Sequence, residues 1–339
     1  MFNAIENLIR RGLDDGVFPG AAIAIGDKNG EMFRSVYGFR QIKPEKKPLE
    51  PDTVFDIASL TKIISSIVAL RLVQEEKLRL ADTLDKFFDI PASKITIYHL
   101  MTHTSGLPAH APLWQMTKHP GDVIPLILGM ELQNPPGLAV EYSCLGYILL
   151  GKICEMLGGN TLDKLSRDWI FAPLGLKSAA YNPERGTFAV TEFDVEAGWL
   201  DGVVHDENAR FIGGVSGNAG VFADIADMSA LAKMLANKGV MGNEFIIHPL
   251  VFDEAVRNHT THCEDGRGLG FEVRDVLGKD SYGHTGFTGT SLWVDAETSL
   301  YVVLLTNRVH PTRENAKHIP FRRELHDLCA NEYRELCAK

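Results

Sequence analysis

The sequence predicts an α+β fold: an antiparallel sheet flanked by N- and C-terminal helices, with a mostly helical domain inserted between its strands. Three observations predict it. Strand patterns with tight turns occur near both ends of the chain. The middle carries short helical patterns broken by Pro and Gly. Strands and helices never alternate as regular βαβ units. On this reading residues 1–80 and 201–339 form the sheet domain, residues 81–200 form the helical domain, and the functional site lies between them.

The elements follow in order. MFNAIENLIRRGLDDG reads as a short amphipathic helix. GAAIAIG (Gly20 to Gly26) and EMFRSVYGFR (Glu31 to Arg40) read as two strands, with Asp27-Lys28-Asn29-Gly30 as the turn of a hairpin. QIKPEKKPLEPD, with three prolines, reads as a surface loop. From Ser59 onward, apolar residues at Leu60, Ile63, Ile64, Ile67, Val68 and Leu72 keep helical spacing. ITIYHLMTHTSGLP, CLGYILLGKICEMLGG and TLDKLSRDWIFAPLGL are the clearest helical patterns of the middle. Strand signals return in GLGFEVRD, SYGHTG and TSLWVDAETSLYVVLLTNR, the last turning at Ala296-Glu297-Thr298. An amphipathic segment from Arg313 to Leu336 closes the chain.

The 339 residues are 45% hydrophobic and 23% charged, enough for a large core. The net charge of −10 argues against a nucleic-acid or anionic-membrane partner. No apolar run reaches the length of a membrane span. The first helix lacks the apolar core of a signal peptide, so a cytoplasmic location is expected. Five cysteines, an odd number without CxxC spacing, fit a reducing compartment.

Three short stretches carry chemistry. Ser59-Leu60-Thr61-Lys62 is an S-x-x-K pair, which a helix places on one face. A serine hydroxyl is a weak nucleophile until a group takes its proton. A neutral lysine one turn away can do so, and a charged one can support a separate base. The helix N-terminus offers N–H groups and positive potential, which lower a lysine's pKa. The alternative is an N-cap serine beside a solvated lysine, but the apolar run IISSIVAL buries this helix, and a buried lysine asks for a reason. Tyr142, beside Ser143 and Cys144, is the second element: a base if a cation helps it ionise, or a core tyrosine with a bonded hydroxyl. His284-Thr285-Gly286 is the third, on a strand whose glycines mark close approach by a ligand or another backbone. The N–H of Phe287 could there meet a carbonyl oxygen. The alternative is a bulge with an incidental histidine.

Taken together, VFDIASLTK, ITIYHLMTHTSGLP, EYSCLGYILLG and GHTGFTGTSLWVD resemble the serine β-lactamase and penicillin-binding-protein family. The resemblance is to its class C β-lactamase, D-alanyl-D-alanine carboxypeptidase, D-aminopeptidase and family VIII esterase branch, and it runs from about Phe18 to the end. It implies a β-lactamase-like fold and a serine hydrolase acting on an ester or amide, with no cofactor and no metal. It implies Ser59 as the acylated nucleophile, with Lys62 and Tyr142 sharing the proton work. The N–H groups of Ser59 and Phe287 would form the oxyanion hole, and Cys144, His284, Thr285 and Gly286 would contact substrate. VHDENARFIGGVSGNAG and TNRVHPTRENAKHIPFRRELHD resemble a bacterial subgroup with proposed muropeptide amidases.

Two departures bear on substrate. The family's tyrosine motif is usually Tyr-x-Asn, and here Cys144 replaces the asparagine, whose amide both donates and accepts. His284 stands where many relatives carry lysine, and is expected to be a weaker, pH-dependent cation. Both argue against efficient β-lactam hydrolysis and favour an esterase, peptidase or muropeptide amidase. A non-catalytic binding or sensor protein on the same fold, or a true β-lactamase, are the alternatives. Oligomeric state is left open.

Other groupings read as structural. His259-Thr260-Thr261-His262-Cys263-Glu264-Asp265 reads as a surface loop without the second ligand pair of a zinc site. His99 and His103 lack the glutamate of a zinc protease, since Leu100 follows His99. GGVSGNAG (Gly213 to Gly220) lacks the ending of a P-loop and reads as a loop beside the site. His205-Asp206-Glu207-Asn208 either contacts substrate or decorates a loop. No G-x-S-x-G elbow occurs, which disfavours an α/β-hydrolase.

Overall fold

A computed structural model describes residues 2–338. Its centre is a seven-stranded antiparallel sheet whose strands come from both ends of the chain. In chain order they are β1 (Gly20–Asp27), β2 (Gly30–Gln41), β3 (Lys47–Pro48), β4 (Glu272–Arg274), β5 (Ser281–Thr285), β6 (Ser291–Val294) and β7 (Tyr301–Thr306). The spatial order is β4-β5-β6-β7-β1-β2-β3. β1 is therefore an inner strand, paired with β2 at Ile23–Ser35 and with β7 at Ile23–Leu304. The Pro-rich segment after β2 is not wholly a loop, because Lys47 and Pro48 pair back onto the edge of the sheet.

Side chains alternate across a strand, so β1 serves two cores. Ala21, Ile23 and Ile25 face the terminal helices Phe2–Asp14 and His318–Cys337 through Ile5, Ile9, Leu325 and Cys329. Ala22 and Ala24 face the other way, and helix Ile225–Ala236 packs there. Alanine at both positions lets that helix approach closely. With helices on both faces, β1 is buried almost end to end and lacks the polar alternation of a half-exposed hairpin strand.

The second core runs unbroken from the sheet into the helical region. Helix Thr61–Gln74 is buried nearly all round, more than the predicted apolar stripe required. Its Ile63, Ile67 and Val68 pack in one cluster with Leu145, Leu149 and Ile153 of helix Cys144–Gly158. Each such side chain fully buried contributes about 1.5–3 kcal/mol. Between Leu84 and Trp199 the chain has short helices, the long helix Cys144–Gly158 and two-residue strands. Val221–Ala223 bridges Phe55–Asp56 and Ala180–Tyr181 in a small separate sheet. Among the described residues no helix is long and apolar enough to cross a membrane.

Candidate active site

Ser59 sits in a single 3₁₀ turn, Ala58–Leu60, that leads into helix Thr61–Gln74. Ala58 has a left-handed φ of 48°, a conformation costly for a residue with a Cβ. Neighbouring bonds hold it there. The buried Asp56 carboxylate accepts the N–H of Ala58 at 2.8 Å and that of His205 at 2.7 Å. Thr288 and Thr290 donate their hydroxyls to the carbonyls of Asp56 and Ile57 at 2.8 and 3.0 Å. The turn bearing Ser59 is thus pinned to the loop bearing Phe287.

That loop is itself fixed on both sides of Phe287. The Gly286 carbonyl accepts the Gly289 N–H, and the Phe287 carbonyl accepts Arg308 Nε at 2.8 Å. Among the described residues, the N–H groups of Ser59 and Phe287 meet no acceptor within the chain. Both residues line a cavity of about 730 Å³.

Lys62 is fully buried. Its Nζ donates to Ser59 Oγ at 3.0 Å and to the Asn218 carbonyl at 3.0 Å, and lies 3.6 Å from Cys144 Sγ. Burial pushes the ammonium down, but Cys144 and Tyr142, anions whenever they ionise, push it further up. Lys62 therefore stays charged. The lowered lysine expected from the helix N-terminus does not occur, because the acidic partners outweigh the cost of burial.

Tyr142 is half-buried beside this ammonium, with Lys62 Nζ 4.9 Å from its ring centroid. Its phenol interacts with the side chains of Lys62 and Ser59. Burial pushes the phenol up, Lys62 pulls it down, and the net direction is up. Ser143 points elsewhere: its hydroxyl donates to the Pro108 carbonyl and caps helix Cys144–Gly158 by accepting the Gly146 N–H. His103 holds the stretch in place. Its Nδ1 accepts the Ser143 N–H at 3.0 Å, its carbonyl accepts the Glu141 N–H, and its ring lies 4.6 Å from that of Tyr142. His99 makes a helix capping box instead.

His284 is 2% exposed. Its Nδ1–H donates to the Thr285 carbonyl at 2.7 Å, so Nε2 carries the lone pair, and Nε2 has no partner. Burial pushes its pKa down to about 4, against the opposing pull of Glu272. The expected pH-dependent cation is therefore a neutral acceptor at pH 7, because burial outweighs its one carboxylate neighbour.

The positive charge comes from a residue that motif reading missed. Arg267 is 8% exposed, lines the same cavity, and its Nε and Nη1 have no partner. Its guanidinium lies 5.5 Å from the Tyr142 ring centroid. The only signal in the sequence is an arginine between two glycines, Gly266-Arg267-Gly268.

The open choice over His205-Asp206-Glu207 is answered by their partners. His205 bonds Asp56 and Glu192, Asp206 caps the next helix, and Glu207 pairs with Arg313 at 2.7 Å. All three also border the cavity. The loop Gly213 to Gly220 lies beside the site, where Asn218 reaches Lys62. Gly217 is needed there, since a Cβ would fall 2.0 Å from the Tyr147 carbonyl. Among the described residues no group of three or more His, Cys, Asp or Glu side chains is placed to hold a metal ion.

Three buried histidines make acid stability a test of this geometry. Burial pushes His103 well below its ordinary value, His284 to about 4 and His326 to about 3. Each is neutral in the fold, so the unfolded chain binds the proton first. Stability is full above about pH 6.5 and falls as pH drops below it. At pH 5 His284 and His326 each cost about 2 kcal/mol relative to pH 7, and His103 adds to the loss in the same direction. Thermal unfolding should show a markedly lower Tm at pH 5, and an unchanged Tm would refute the buried neutral rings.

The family model described as Beta-lactamase matches residues 5–327. A Salmonella enteritidis protein named "Putative D-alanyl-D-alanine carboxypeptidase" is 32% identical over 319 residues, covering 79% of this chain and 72% of its own. The octameric penicillin-binding protein homologue from Pyrococcus abyssi has the same fold, with a TM-score of 0.76 at 22% identity, covering 90% of this chain and 73% of its own. EstCE1, described as a hydrolase with promiscuous acyltransferase activity, superposes with a TM-score of 0.75 at 20% identity, covering 95% of this chain and 97% of its own.

Proposed function

The chain belongs to the Beta-lactamase family of serine hydrolases, and we propose that it works through an acyl-enzyme on Ser59, cleaving an ester or amide that bears a carboxylate. One observation carries this reading. Ser59 Oγ lies 3.0 Å from a buried charged Lys62, in a cavity where two backbone N–H groups await an acceptor.

In this mechanism Lys62 is not the base. Its ammonium offsets the cost of ionising Tyr142, and the Tyr142 phenolate takes the Ser59 proton as Oγ attacks the carbonyl carbon. The N–H groups of Ser59 and Phe287 receive the developing oxyanion, each supplying about 3 kcal/mol. They are pinned before substrate arrives, so no reorganisation is needed. Tyr142 then returns the proton to the leaving group, whose own N–H or O–H can donate to the bare Nε2 of His284. Water enters by the reverse route and frees Ser59.

Arg267 is the group for the carboxylate, because its two buried donors are otherwise unsatisfied. The relative named as a carboxypeptidase supports a peptide with a terminal carboxylate. The missing asparagine at Cys144 weakens amide recognition and makes β-lactams poor substrates.

A fluorophosphonate probe should label wild-type Ser59 once per chain. Substrates should then be compared in wild type and Arg267→Ala, across p-nitrophenyl esters, D-alanyl peptides, MurNAc-peptides and nitrocefin. Arg267→Ala should raise KM roughly 10–100-fold for substrates with a carboxylate and little for neutral esters. No label at Ser59, or an equal effect on both substrate classes, would sink the reading. Nitrocefin turnover should stay below about ten per second, the range of a dedicated enzyme.

A further inference from the structure

We propose that Cys144 is an oxidation site, at which a hydroperoxide converts the Lys62–Cys144 contact into a covalent sulfur–nitrogen bond. The two reacting atoms already touch, with Sγ 3.6 Å from Nζ. Cys144 is half-buried and lines the cavity, so a small oxidant that enters the cavity reaches it. It is also the first residue of the 15-residue helix Cys144–Gly158. The positive end of that helix and the Lys62 ammonium flank the sulfur, surroundings that promote its attack on a peroxide.

A second feature of the cavity fits the same ligand. The unpartnered donors of Arg267 can hold the peroxide and stabilise the oxygen that departs. No other cysteine lines the cavity among the described residues: Cys154 and Cys329 are buried in the cores, and Cys263 and Cys337 lie elsewhere. A sulfenic acid formed at Cys144 therefore meets an amine before it meets a second thiol.

The chemistry takes two balanced steps. Sγ attacks one peroxide oxygen, the O–O bond breaks, and the departing oxygen leaves with the thiol proton as water. Sulfur loses two electrons and the peroxide gains them. Oxidation removes the Cys144 thiol, the larger of the two acidic partners that hold the Lys62 proton; Lys62 releases that proton through the cavity and attacks the sulfenic sulfur. The S–N bond forms, the S–O bond breaks, and hydroxide departs with one amine proton as a second water. The linked lysine no longer donates to Ser59, and the charge that supports Tyr142 is gone.

The bond itself does not depend on the role given to Ser59; only the accompanying loss of hydrolysis rests on that reading. Protein purified under reducing conditions should be treated with hydrogen peroxide, alkylated with iodoacetamide and digested with trypsin. The expected product joins the Lys62 and Cys144 peptides, uncleaved at Lys62, about 2 Da lighter than their sum because two hydrogens are lost. It should be absent from Cys144→Ala and reversed by dithiothreitol. Hydrolysis should fall at least about ten-fold in step with the cross-link, while Cys144→Ala keeps its own untreated rate under peroxide. Recovery of Cys144 as the alkylated thiol, or as sulfinic or sulfonic acid with Lys62 still cleavable, would overturn the proposal. The mass readout needs no substrate, so failure of the cross-link and failure of the Ser59 assignment are told apart.

Discussion

Ser59→Ala should lower kcat by about 10⁶-fold while KM changes only a few-fold. The size follows from nucleophilic serine enzymes, where losing the nucleophile costs about 2 × 10⁶ in kcat. Binding should survive because alanine leaves the turn intact. Asp56, Thr288 and Thr290 hold the backbone of Ala58 and its neighbours, and none of those bonds uses the Ser59 hydroxyl. The Ser59 N–H is likewise a backbone group and remains in the variant. The residual rate, roughly 10³–10⁴ over water, would come from the two N–H donors and from positioning. The measurement is steady-state kinetics on the best ester of the panel, with circular dichroism to confirm the fold. A loss of less than about a hundred-fold would mean that another group carries the chemistry. Cys144 would then be the first suspect, since it shares Lys62 with Ser59.

The fold was legible where the pattern is local. The hairpin β1–β2, the burial of helix Thr61–Gln74 and the late strands all announce themselves through turn residues and apolar spacing. The double burial of β1 was less visible, because it depends on the helix Ile225–Ala236, some two hundred residues away, packing on Ala22 and Ala24. In the site, Ser59, Lys62, Tyr142, Cys144 and His284 were each nameable, and the fold gathers them around one cavity. Their charges were not. Whether Lys62 is neutral depends on two acidic side chains eighty residues away, and His284 is neutral because a fold buries it. Arg267 was invisible because its meaning is an absence of partners, which only three dimensions can show. The left-handed Ala58 leaves no trace in an alanine codon either. It is imposed by Asp56 and by two threonines from the far end of the chain.

Lys62→Met tests the division of labour between lysine and tyrosine, and should lower kcat/KM by about 10³–10⁴-fold at pH 7. Methionine keeps most of the volume, so the helix should still pack. Two opposing terms bear on stability. Removing a buried ammonium regains its desolvation cost, while the buried Asn218 carbonyl loses its donor at a cost of about 1–3 kcal/mol. The net change should be small, so lost activity will not reflect lost fold. The distinguishing readout is the pH profile. If the Tyr142 phenolate is the base, the wild-type rate rises with pH until that phenol has ionised. Burial raises the phenol and Lys62 opposes the rise. Without Lys62 the rising limb must therefore move to higher pH, and the gap between variant and wild type must narrow as pH increases. Were Lys62 itself the base, no such recovery could occur, because methionine cannot take a proton at any pH. Tyr142→Phe should lack the recovery for the same reason. The double variant should be little worse than the worse single one, since both residues act on one proton. A rising limb that stays in place in Lys62→Met would assign the base to some other group and reduce Tyr142 to a positioning residue.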